Sequence, residues 1–427
     1  MKLGFNTTGN IQTSGRTTPT VFLGKLRNTV ASTTRKFKYC NKQSPDLNMT
    51  FNCVFNGLYQ PIDQPIDQSF DTYHILNGEV PLEEDNNNTY STKALVSGPF
   101  TPSQLRTAYS VPTILPNNSV RRPIVTIISA FRNPYLINDV KTFGRVFKLP
   151  ACDLTVVNFS NRFVPNWATE TTLNVQWVYA MNPYAKIRVI QAASSSWSDM
   201  TKAINYANNK RNFNPSIDTD IITMSFGSKD NGDKRFFNQT FSNTNTIYLA
   251  ASGNSNVVSA PASCPNVIAV GGTSLYVNGN LTRASERVWN KTGCGFSLSF
   301  SKPYYQPSFT SNRMTPDVCC VGDPNTGCLV VLNGKGYSIG GTSLASPIYA
   351  GMLSLVIQNR LNRKQSTYTS VQNNSNTIQP LLYNKSNENC FFDVIEGSSG
   401  IYTAQVGFDI ASGLGVVNCN QLINNLQ

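Results

Sequence analysis

Short apolar runs at 123–131, 186–193, 219–226, 246–252 and 266–271 constrain this chain most, because each is strand-length and bounded by turn-forming residues. They read as buried strands. Helical patterns at about 138–148, 170–181 and 199–209 alternate with the early runs. Strands that alternate with helices pair in parallel, since a parallel pair needs a long crossover connection. The expected fold class is therefore α/β, with a parallel sheet covered by helices on both faces. Residues 96–427 are enough chain to bury a large core.

Tyr337-Ser338-Ile339-Gly340-Gly341-Thr342-Ser343-Leu344-Ala345-Ser346-Pro347 sets a serine at the start of an apolar helix. Leu344, Ile348, Met352 and Leu355 recur at helical spacing, Pro347 reads as a first-turn residue, and Arg360, Arg363 and Lys364 stand near the far end. A helix start offers free N–H groups and a positive dipole end to an oxyanion, so Ser343 reads as a nucleophile. The same Gly-Gly-Thr-Ser-Leu occurs at 271–275. There it runs on into Tyr276-Val277-Asn278-Gly279, a strand and turn, and Ser274 is assigned to structure.

A nucleophilic serine needs a base, and the chain holds one histidine, His74. It lies in an acidic, loop-like stretch far from Ser343 and is expected to be an ordinary exposed or packed residue. The proton acceptor is therefore expected to be a carboxylate. In Ala168-Thr169-Glu170-Thr171-Thr172-Leu173-Asn174-Val175-Gln176-Trp177-Val178, an apolar helical stripe carries Glu170 and Asn174 four apart on one face.

Taken in order, several segments resemble the sedolisins, the serine-carboxyl peptidases. They are Thr101 to Tyr109, Ile124 to Ile128, Asn133-Pro134, Phe147 to Pro150, the Glu170 helix, Thr223 to Gly227, Ala251 to Ser255, Val270 to Ser274, Pro316 to Val318 and the Ser343 motif. The resemblance covers about residues 99–425. It implies a subtilisin-like fold for residues 96–427, a peptide or protein substrate, Ser343 as nucleophile and Glu170 as general base and then acid. It also implies that Ser225, Phe226 and Gly227 lie beside the bound peptide.

Two positions depart from the family pattern. Asn174 stands where an aspartate follows the glutamate, and Asn254 where an aspartate points into the oxyanion hole. An aspartate donates a hydrogen bond only when protonated, whereas an asparagine amide donates at any pH. Asn254 is thus expected as the oxyanion donor of a peptidase retuned toward neutral pH. Asn174 can orient Glu170 but cannot relay a proton. The alternative is a catalytically degenerate sedolisin-fold protein of a particle or large assembly.

Phe392 to Gly397 and Ala404 to Asp409 resemble the family's calcium loop. That match implies Ca²⁺ held by the Asp393 and Asp409 carboxylates and the carbonyls of Val394, Gln405 and Gly407.

Residues 1–95 form a separate, non-homologous N-terminal segment, propeptide-like or anchoring. Residues 1–45 hold eight basic and no acidic side chains, +8 of the total +12, while residues 46–95 hold eight acidic residues against Lys93, or −7. Gln60-Pro61-Ile62-Asp63 repeats at 64–67, as an extended linker would. The basic arm 1–45 suits an acidic partner, nucleic acid or an assembly surface. No signal peptide or membrane span is legible, and the localisation stays open between secreted or lysosome-like, as the resemblance implies, and particle-associated. Ten cysteines without a C-x-x-C pair, and one histidine, argue against zinc and leave disulfide pairing open.

Overall fold

A computed structural model describes residues 70–82, 95–230, 234–372 and 376–426; the basic arm 1–45 and the repeat at 60–67 lie outside the described residues. The central sheet runs, in spatial order, Val416–Val417, Val318–Val321, Val267–Val277, Ile247–Ala251, Ile221–Met224, Ile124–Ala130, Lys186–Ala192 and Asp153–Asn158. These strands pair in parallel. Strand side chains alternate between faces, so the sheet feeds two cores. Val125, Ile127, Ile187 and Val189 join the helices Leu136–Val146, Pro165–Met181 and Thr342–Asn362 in one core. Ile128, Ala130, Ile190 and Ala192 join the helix Trp197–Asn208 in the other. The expected parallel sheet with helices on both faces is what forms.

Three elements differ from the sequence reading. The edge strand Asp153–Asn158 is only half-buried, so its apolar pattern is weak. The last apolar run continues as an eleven-residue strand, Val267–Val277, with the first Gly-Gly-Thr-Ser-Leu inside it. Ser274 there donates to Asp323 at 2.6 Å. Pro347 sits inside the helix Thr342–Asn362 rather than in its first turn. A proline has no N–H for the carbonyl four residues back. That carbonyl belongs to Ser343, and it accepts from Ser225 Oγ at 3.2 Å instead.

The strongly acidic region contributes a strap to this body. Asp71–Thr72 pairs antiparallel with Phe226–Lys229, and Ile75–Val80 pairs antiparallel with Lys335–Gly340. Tyr73 and His74 lie between the two pairings. Among the described residues no helix is long and apolar enough to cross a membrane. The eight described cysteines are all free thiols.

Candidate active site

The helices Pro165–Met181 and Thr342–Asn362 pack in the same core and are buried nearly all round, so polar side chains on their facing turns must satisfy one another. Ser343 and Glu170 do. Ser343 Oγ lies 2.9 Å from Glu170 Oε2 and 3.1 Å from the Ser225 carbonyl, with both side chains almost fully removed from water. Glu170 Oε1 accepts from Asn174 Nδ2 at 2.7 Å. Asn174 is fixed in turn, since its Oδ1 accepts from Ser225 Oγ at 2.6 Å. The sequence reading placed Ser225 beside a bound peptide. Its side chain instead turns inward and orients the amide that orients the carboxylate.

Asn254 is oriented by the helix start. Its Oδ1 accepts from the Thr342 N–H at 2.9 Å and the Thr342 hydroxyl at 3.0 Å, which leaves Nδ2 to point outward as a donor. Thr342 also accepts from the Gly253 N–H at 3.1 Å, tying the two loops together. Nδ2 donates to the Tyr73 carbonyl at 2.7 Å, and the Ser343 N–H reaches the same oxygen at 3.3 Å. One carbonyl oxygen of the strap therefore sits on two donors beside the serine hydroxyl. Gly341, at φ +101°, makes this approach feasible, because a Cβ there would collide with the Tyr73 carbonyl.

His74 is not the uninvolved residue expected from its neighbourhood. Strand pairing on either side of it carries its Nδ1 to 2.9 Å from Glu170 Oε2. Nothing local in the sequence signals this, because the contact is set by a register with strands more than 150 residues away. Phe226 and Gly227 pair with Thr72 and Asp71, so those two do lie beside a peptide, and that peptide is the chain's own.

The sequence-predicted calcium loop lies apart from these groups in the chain. Asp393 accepts from the Gly407 N–H at 2.7 Å, and Asp409 from the N–H groups of Gln405, Ala411 and Ser412 at 2.9, 2.7 and 2.8 Å. Val394 is buried. Burial pushes the Asp409 carboxyl above its ordinary range, against those hydrogen bonds. Among the described residues no group of three or more His, Cys, Asp or Glu side chains gathers as a metal site. The two carboxylates are anchored on one 405–407 turn, and carboxylate oxygens are the hard donors that Ca²⁺ takes.

Comparison with known proteins shows what the chain is similar to. The model of the subtilase family matches residues 168–401. Sedolisin of Pseudomonas sp. (strain 101) is 33% identical over 187 residues, 40% of this chain and 30% of its own length. Kumamolisin of Bacillus sp. (strain MN-32) is 30% identical over 286 residues, 58% of this chain and 48% of its own length. Tripeptidyl-peptidase 1 of Bos taurus is 30% identical over 199 residues, 39% of this chain and 33% of its own length. The chain thus spans less than half the length of these curated relatives. A solved structure of Pseudomonas sedolisin, a serine-carboxyl proteinase complexed with pseudo-iodotyrostatin, superposes with a TM-score of 0.66 over 77% of this chain and 98% of that one, at 23% identity. The chain belongs to the subtilase family, and the relatives it resembles are sedolisins and tripeptidyl-peptidases.

Proposed function

We propose that this protein is a serine-carboxyl peptidase and that the Tyr73–His74 bond of its own strap is its first substrate. In this reading Glu170 takes the proton of Ser343 Oγ as that oxygen attacks the Tyr73 carbonyl carbon. The former carbonyl oxygen carries the negative charge toward Asn254 Nδ2 and the Ser343 N–H. Glu170 then returns its proton to the departing amine of His74, the C–N bond breaks, and an ester on Ser343 remains for water to hydrolyse. Asn174 and Ser225 hold the carboxylate in place without exchanging protons. The observation that carries the reading is the Tyr73 carbonyl held by two donors at 2.7 and 3.3 Å while Ser343 Oγ is already on Glu170.

Because Asn254 donates in every protonation state of the enzyme, activity is proposed to extend to neutral pH. Calcium is proposed at the Asp393 and Asp409 loop, where it would brace the C-terminal turns rather than take part in bond cleavage. The +8 arm is proposed to hold the protein to an acidic surface through charge.

The test is direct. Purified full chain, wild type and Ser343→Ala, is incubated from about pH 3 to about pH 8, followed by intact mass and labelling with a fluorophosphonate or a peptide aldehyde. Fragments ending at Tyr73 and starting at His74, with Ser343-dependent labelling, are expected. Absence of both at every pH would discard the peptidase and leave the degenerate scaffold.

A further inference from the structure

The strap also displays what the cleft selects. The phenol of Tyr73 enters a slot walled by Gly227 and Gly253, where a Cβ on Gly227 would stand 2.6 Å from Tyr73 Oη and one on Gly253 3.6 Å from its Cζ. At the end of the slot a Cβ on Gly253 would stand 3.3 Å from Ser259 Oγ and 3.7 Å from Tyr73 Oη, so the two hydroxyls face the same small space. Ser259 is buried in the strand Ser259–Ala260, which pairs with Phe226–Lys229, so strap, wall and reader belong to one small sheet. Its own hydroxyl proton is committed to the Ser252 carbonyl at 2.8 Å. What remains on Ser259 is an acceptor, which a phenol O–H satisfies and a phenylalanine or leucine does not. Desolvation pushes the Tyr73 phenol up to about 12, so it keeps its proton and stays a donor through the neutral range.

Three residues earlier, Phe70 is buried, with its N–H on the Ser195 carbonyl at 2.8 Å. Its ring centroid lies 4.0 Å from Trp197 and 4.7 Å from Phe226. Asp71, between the two anchors, is exposed. Two deep subsites therefore flank a permissive one.

Resting on the peptidase reading, we infer that the enzyme cuts after tyrosine, with Ser259 as the residue that distinguishes tyrosine from phenylalanine, and that it favours an aromatic side chain three positions before that tyrosine. A buried acceptor left unpaired penalises the analogue that lacks the hydroxyl.

The experiment uses the full chain as its own substrate. Single-turnover scission at 73–74 is followed by mass for wild type, Tyr73→Phe, Tyr73→Leu and Phe70→Ala, each also in a Ser259→Ala background. Tyr73→Phe is expected to slow scission about tenfold with Ser259 present and about onefold without it, and Tyr73→Leu and Phe70→Ala to slow it more than Phe does. Equal rates for tyrosine, phenylalanine and leucine, or a tyrosine preference that survives Ser259→Ala, would overturn the inference. A second arm needs no chemistry: in Ser343→Ala chains, hydrogen exchange of the 71–76 amides should accelerate in Tyr73→Leu and Phe70→Ala. Unchanged exchange would overturn it as well. Loss of all scission together with normal exchange differences would instead strike the peptidase reading and leave the two subsites standing.

Discussion

Nδ1 of His74 and Oε2 of Glu170 are 2.9 Å apart, and that carboxylate oxygen is the same one that Ser343 Oγ meets at 2.9 Å. The residue following the proposed scissile bond thus shares the atom that must receive the serine proton. Two donors on one acceptor oxygen divide its lone pairs and hold the hydroxyl less firmly.

His74→Ala should therefore speed self-scission. One hydrogen bond to a carboxylate is worth about 1.5–3 kcal/mol, which corresponds to an upper limit of about ten- to hundredfold in rate. His74→Asn, which can still donate, should stay near wild type. Mass spectrometry of the full chain over time measures both, and a slower alanine variant would show that the imidazole helps departure of the amine more than it hinders Glu170.

Asn254→Asp tests the pH argument. The Thr342 N–H and hydroxyl would still bind one carboxylate oxygen, so the side chain should keep its place. Its second oxygen, however, can donate to an oxyanion only when protonated. Scission should fall at neutral pH by about 10²–10³, the range for losing one oxyanion donor, and recover toward acid. A pH–rate profile that keeps its neutral limb would count against Asn254 as the donor.

Much of this site was legible because its chemistry is carried by local patterns. Gly341, Thr342 and Ser343 announce a tight turn into an apolar helix, and Glu170 and Asn174 sit one helical turn apart whatever the rest of the chain does. Long-range pairings left no such trace. Ser225 reads as a peptide neighbour until its hydroxyl is seen on Asn174, and His74 reads as a loop residue until two strand registers place it. The strand Asp153–Asn158 was missed for a related reason: an edge strand is half-solvated, so its apolar alternation is diluted.

Asn174 and Ser225 act through Glu170, so their loss should alter rate without removing the nucleophile. Ser225→Ala removes the hydrogen bond that fixes the Asn174 amide and also leaves the Ser343 carbonyl, already deprived of a helical partner by Pro347, without its substitute. A loss of about 1–3 kcal/mol in stability is expected for such a buried vacancy. Urea denaturation measures it, and the scission rate should fall while the Tyr/Phe preference at position 73 stays as in wild type.

Calcium should raise stability by mass action. At about 100 times its dissociation constant the gain is about 2.7 kcal/mol, visible as a higher melting temperature in calcium than in EGTA. Asp393→Asn should abolish that difference. Asp393 is the better choice of variant because Asp409 also carries the 405, 411 and 412 N–H groups, and its loss would unfold the loop for reasons unrelated to metal. A wild-type melting curve indifferent to both additions would remove calcium from the loop.

The free thiols predict an alkaline limit to stability. Burial pushes Cys419 up to about 12 and Cys264, Cys319, Cys320 and Cys328 well above the ordinary thiol value of 9.0. Because the folded values exceed the unfolded ones, the contribution is fully present below about pH 9 and is lost as pH rises through the folded values. For Cys419 alone the loss reaches about 1.4 kcal/mol by about pH 10. Urea midpoints measured from about pH 8 to about pH 10 should therefore decline, and Cys419→Ser, whose hydroxyl does not titrate there, should flatten the slope. Iodoacetamide should meanwhile leave these five unmodified until the chain unfolds, because the reactive thiolate is scarce and shielded. Rapid native labelling of Cys319 or Cys320, next to one another on the strand Val318–Val321 of the central sheet, would mean that this part of the sheet opens without global unfolding.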